Sequence, residues 1–188
     1  IINESSDTIT IGASGDTTNI VGTLQNNGSA LVTGKIGQVL SATKTDVFTT
    51  TSTSYTDITG ITINITPAAT SSKVLVTFSV TASTDTADRV FGFQLVRGST
   101  AIGAGGSSGS RSVGTVAGAV ETKNTKMNSY SMNFLDSPSS TSALTYKLQT
   151  KAQTGGSNTV RINSNGGDQD ANYNFRTIST ITVMEVLA

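Results

Sequence analysis

Apolar and polar residues alternate along most of this chain, and the alternation is clearest at residues 73–82, KVLVTFSVTA. Val74, Val76, Phe78, Val80 and Ala82 share one face of an extended strand; Leu75, Thr77, Ser79 and Thr81 share the other. A period of two built from β-branched and aromatic residues predicts a strand with one buried face. The same pattern predicts strands at 47–50, 55–58, 61–65, 89–97, 100–103, 113–121, 128–135, 143–153, 159–163 and 177–187. Leu144, Tyr146 and Leu148 oppose Thr145, Lys147, Gln149 and Lys151, the clearest half-exposed strand. The last strand is apolar on both faces, with Ile178, Met184 and Val186 on one and Ile181, Val183 and Leu187 on the other. Such a strand is central in a sheet or pressed between subunits.

The connections are turn-like. Gly98-Ser99 closes a tight hairpin, 103–111 (GAGGSSGSR) is loop by composition, and 163–174 (NSNGGDQDANYN) is a polar loop. Many short strands without a sustained helical period predict an all-β chain, an antiparallel jelly-roll-like β-sandwich over 46–188. Residues 34–45, opening GKIGQVLSATK, read as a junction with room for a short helical turn.

Residues 1–33 differ. Asp7-Thr-Ile-Thr-Ile-Gly12 is echoed by Asp16-Thr-Thr-Asn-Ile-Val-Gly22, and Gly22-Thr-Leu-Gln-Asn-Asn-Gly28 continues the cadence. Ordering about thirty residues costs on the order of 1–2 kcal/mol each in backbone entropy. Half a dozen aliphatic side chains return roughly 1.5–3 kcal/mol each. One copy therefore cannot hold a shape. The segment is either a flexible linker or meets its equivalents from other chains, and the ordered alternation favours the second.

Composition sharpens this picture mainly by exclusion. Ser and Thr make up roughly three residues in ten, and charged residues only 13%. The net charge is zero and no basic run is present, so neither nucleic acid nor an anionic membrane is an expected partner. No apolar stretch approaches membrane-spanning length, so no membrane insertion is expected. The chain has no Cys and no His, which removes the disulfide staple, the common zinc ligand and the usual neutral-pH base. Ile1 in place of an initiating Met is expected to mark a cut in a longer chain.

Candidate chemistry lies in two loops. Asp85 and Asp88 read either as a glycosidase-like carboxylate pair or as turn residues with Arg89 as counter-charge. Asp168 and Asp170 read either as calcium ligands, though the spacing is not that of an EF-hand, or as parts of a solvated turn. Tyr173, Phe175 and Arg176 read as an aromatic and guanidinium platform for a sugar, with Phe175 reading equally as a core residue. The residues assigned to receptor contact are Asp168, Asp170, Asn172, Tyr173 and Arg176, together with Arg111. No catalytic set, metal site or cofactor is assigned.

The D-T-I-T-I-G and D-T-T-N-I-V-G-T-L units, the junction G-K-I-G-Q-V-L-S-A-T-K-T-D, the segment F-G-F-Q-L-V-R-G-S-T-A-I-G and the closing I-S-T-I-T-V-M-E-V resemble the C-terminal part of phage tail-fibre or receptor-binding proteins, including those of phages of marine cyanobacteria. The resemblance runs from Asp7 to the end. It implies a virion tail-fibre tip: a homotrimer with an interwoven shaft over 1–33 and three β-sandwich heads, joined to the rest of the fibre upstream. It implies attachment to a host surface glycan or outer-membrane receptor. A glycan-cleaving tailspike tip and a purely structural trimerisation module stand as alternatives.

Overall fold

The computed structural model describes Gly15, residues 25–26 and 29–30, and residues 35–120, 126–153 and 158–187. The chain divides into two units, Ile1–Gly34 and Lys35–Ala188. In the first, β1 (Gln25–Asn26) pairs antiparallel with β2 (Ser29–Ala30). The apolar residues on which the shaft expectation rests, Ile9, Ile11, Ile20, Val21 and Leu24, lie outside the described residues.

The second unit is all β. Its strands are β3 (Ile36–Lys44), β4 (Phe48–Thr50), β5 (Thr56–Ile65), β6 (Lys73–Thr84), β7 (Arg89–Arg97), β8 (Thr100–Ile102), β9 (Val116–Val120), β10 (Asn128–Asp136), β11 (Leu144–Ala152), β12 (Val160–Ile162) and β13 (Ser179–Val186). Every pairing is antiparallel. One sheet runs β3-β13-β6-β10, with β12 and β4 continuing it beyond β13 and β3. The other runs β5-β11-β7-β9, with β8 beside β9 on the same edge of β7. The two orders interleave along the chain as an eight-stranded jelly roll.

The inward residues are those the alternation predicts. Val74, Val76, Phe78, Val80 and Ala82 of β6 and Ile181 and Val183 of β13 face Phe91, Phe93, Leu95, Tyr146, Leu148, Ile58, Ile61 and Ile65 from the other sheet. Tyr130 of β10 reaches across to Phe91 and Phe93, at ring centroids 5.3 and 5.7 Å. The ring lies where a side chain at residue 118 would stand, so β9 carries Gly118. The sheets are also tied by charge. Asp136 Oδ2, at the end of β10, accepts hydrogen bonds from Arg97 (2.6 Å) and from the buried Tyr146 hydroxyl (2.6 Å). Burial, then the neighbouring Asp136 carboxylate, raises the Tyr146 pKa, so the phenol stays a donor.

Two expectations change. Residues 36–44 are not a junction with a helical turn but the strand β3, paired with β13 along its length. Residues 55–58 and 61–65 are not two strands but one, β5, interrupted where Gly60 takes φ +88°. That bulge lets Ile58 and Ile61, three apart, both face the core. The closing strand is central, between β3 and β6.

Candidate functional site

Among the described residues, polar side chains gather in two depressions: one at the loop leading into β13 and a cleft on the outer side of the β5-β11-β7-β9 sheet. The loop is half structural. Asn163, Ser164 and Asn165 are buried, not solvated as the composition suggests. Asn163 takes φ +65° and donates from Nδ2 to the carbonyls of Lys44 (2.9 Å) and Asp46 (3.1 Å). Its Oδ1 accepts from Ser179 Oγ at 2.6 Å. Asn165 bonds Asn174 through their side chains, and its Oδ1 accepts from the Asp168 amide at 3.0 Å. Buried amides with every group partnered hold the loop.

From this base the rest projects outward. Asp168 pairs with Arg176. Both line a 300 Å³ depression with Gln169, Asp170, Asn174 and Phe175. Tyr173 is exposed and its hydroxyl lies 3.4 Å from Gln169 Oε1; Asn172 is exposed beside it. The structure thus gathers Asp168, Asp170 and Arg176 around one depression, with Asn172 and Tyr173 in the same loop, and leaves Arg111 elsewhere. Asp85 holds a turn: Oδ1 accepts from the Thr159 amide at 2.7 Å, while Asp88 occupies the left-handed region at φ +59°.

Arg111 lines the second cleft, of 410 Å³, with Tyr55, Val90, Gly92, Ser112, Lys151 and Gln153 among its walls. Tyr55 precedes β5 and lies across the sheet. Its hydroxyl donates to the Val113 carbonyl at 2.7 Å. A Cβ on Gly92 would come within 2.9 Å of that hydroxyl, and one on Gly114 would collide with it. Two glycines therefore make the seat of the ring. Burial pushes the Tyr55 hydroxyl up, so it remains protonated. Lys151 pairs in register with Gly92 and places Nζ 5.1 Å from the centre of the Tyr55 ring and 2.9 Å from Ser112 Oγ. Gln153 Oε1 accepts from the Val90 amide. Arg111 donates to Ser108 Oγ at 3.0 Å.

Tyr55, Lys151 and Gln153 are not among the residues the sequence singles out. One signal for them was present: a glycine in the middle of RVFGFQLVR marks a close approach to the strand. What approaches was not legible, because Tyr55 is distant in the chain.

No protein-family model and no curated protein matches the chain. Among solved structures it is similar to particles of infectious bursal disease virus. The Gx strain structure has 14% identity and TM-score 0.43, over 90% of this chain and 42% of that one. The VP2 subviral particle has 14% identity and TM-score 0.41, over 89% and 46%. The Gt strain structure has 15% identity and TM-score 0.40, over 93% and 43%. The chain spans less than half the length of each. At this level of superposition the likeness says nothing of function, and the jelly roll stands on its own strand order.

Proposed function

We propose that this chain is the tip of a virion fibre, a non-enzymatic head that binds a host surface glycan or outer-membrane protein and acts as a homotrimer. The observation that carries the reading is the second cleft, open on an outer face, framed by an aromatic ring and two cations, with no carboxylate among its described lining residues. Such a site suits recognition rather than acid–base hydrolysis, which needs a carboxyl pair flanking the bond. Asp85 and Asp168 are each engaged, one by a backbone amide and one by Arg176. Three equivalent heads would convert weak single contacts into avidity.

The trimer is supported by the outer face of the β3-β13-β6-β10 sheet. In register across its four strands run Val39-Met184-Leu75-Leu135, Ser41-Thr182-Thr77-Asn133 and Thr43-Thr180-Ser79-Ser131. These twelve side chains include no charge, and Val39 and Leu135 are exposed. Interface cores are depleted in charged residues in the same way, and the front segment needs copies of itself. The occupant proposed for this face is a second copy of the chain. The labelled protein should bind susceptible host cells, and absence of binding to every such host would refute the attachment role. Shortening of host polysaccharide on incubation would instead favour the glycan-cleaving reading.

A further inference from the structure

We propose that the cleft between Tyr55, Arg111 and Lys151 binds a sugar that carries a carboxylate, such as a uronic acid unit of a surface polysaccharide. The inference rests on the attachment reading and names its ligand class. The volume, 410 Å³, falls within the roughly 300–1,000 Å³ of small-ligand sites.

The chemistry of the walls is divided. Val90, Val116 and Ala117 and the Tyr55 ring make an apolar side, suited to the C–H face of a pyranose. Ser112 and Gln153 offer hydroxyl and amide partners to sugar hydroxyls. Lys151 and Arg111 supply positive charge. Among the described residues neither forms an ion pair, whereas Lys147, on the same strand as Lys151, is bound to Asp57 at 2.8 Å. Lys151 is instead held over an aromatic ring and by the hydroxyl of Ser112, which fixes the ammonium without neutralising it. Two positioned, unneutralised cations on an apolar wall distinguish an acidic sugar from a neutral one, because only the former gains a charge-assisted hydrogen bond.

The test is a titration of the full chain with methyl β-D-glucuronide and with methyl β-D-glucoside, which differ only in the carboxylate. The amide signals of Gly92, Gly114 and Ala117 report the cleft by NMR. The glucuronide should bind with saturable shifts at these positions and more tightly than the glucoside, by up to roughly fivefold, the difference a partly exposed ion pair supplies. Lys151→Gln and Arg111→Gln should each reduce that preference, and Lys147→Gln should not. Equal binding of the two glycosides, or shifts at the cleft from neither, would overturn the inference. Host-cell binding separates this from the attachment reading. If wild type binds cells and the two cleft variants bind equally well, the cleft assignment fails and attachment stands. If wild type binds no host, attachment fails and the glycoside titration alone decides the cleft.

Discussion

The two outward faces of the sandwich are built alike and composed differently. Both are antiparallel, four strands wide, and backed by the same core. On the β5-β11-β7-β9 side, Lys147 bridges to Asp57, Gln149 Nε2 donates to the same carboxylate at 2.7 Å, and Lys151 stands beside the cleft. On the β3-β13-β6-β10 side, three rows of Ser, Thr, Asn and aliphatic residues hold no charge. Charged groups are costly to take out of water; hydroxyls that already bond each other, such as Ser41 and Thr182 at 2.9 Å, are much less so. One face is therefore suited to stay wet and meet a soluble ligand, and the other to be covered by protein.

The largest effect expected from a single substitution touches neither face. Asp136→Ala would leave Tyr146 and Arg97 without their shared acceptor. The loss should fall at the lower end of about 3–5 kcal/mol, since Arg97 is partly exposed. Urea unfolding of the variant measures it, and the fall should be the same whether or not the chain associates.

Leu75→Lys tests the three uncharged rows directly; Lys73, at their edge on the same strand face, is the nearest charge along β6. Leu75 lies mid-row between Met184 and Leu135. A lysine there would repeat in every copy, and like charges brought together across an interface cost several kcal/mol. Self-association should be lost while unfolding of the separated head changes by no more than about 0.5 kcal/mol, the usual scale for a surface change. The equivalent change on the other face, Lys147→Ser, should leave the association intact.

Acid separates the two faces more finely. Glu185, inward on β13, is buried, and Oε1 accepts from the Ala68 amide at 2.6 Å while Oε2 accepts from Gln38 at 2.9 Å. The Ala68 amide chiefly holds its carboxyl below the usual range, against the opposing effect of burial. A carboxyl whose folded pKa is depressed stabilises above its unfolded pKa, near 4.5. That contribution is lost as pH falls from there through the folded pKa. Thermal melts across this window should show declining stability, with a shallower decline in Glu185→Gln. The smallest effect should come from Asp57→Asn, which breaks a surface pair worth about 0.2–1 kcal/mol, weakening further in high salt.

The strands were legible where packing on one side imposes a period of two. Residues 89–97 and the alternations of 73–82 and 144–152 stand in the structure as the pattern predicts. Residues 36–44 were not legible. Ile36, Val39 and Leu40 do not alternate, the register shifts before the Ile36 pairing, and two glycines suggest a bend; only the partner β13 makes this a strand. The buried half of the 163–176 loop was hidden for a different reason. Its Asn and Ser residues look solvated in composition, yet their groups find partners as distant in sequence as Lys44 and Ser83. Of the residues proposed for receptor contact, the sequence grouped five through their nearness in the chain. It could not show that Arg111 shares a cleft with Tyr55 and Lys151, because that grouping arises only from folding the sheet.

The mass of the intact chain in solution, by light scattering, bears most directly on the central claim that copies of this chain supply one another's missing core. Three times 19.2 kDa is expected for the unmodified chain, and 19.2 kDa for Leu75→Lys. A single-protomer mass for the unmodified chain, with residues 1–33 nonetheless giving protected amides in hydrogen exchange, would contradict it.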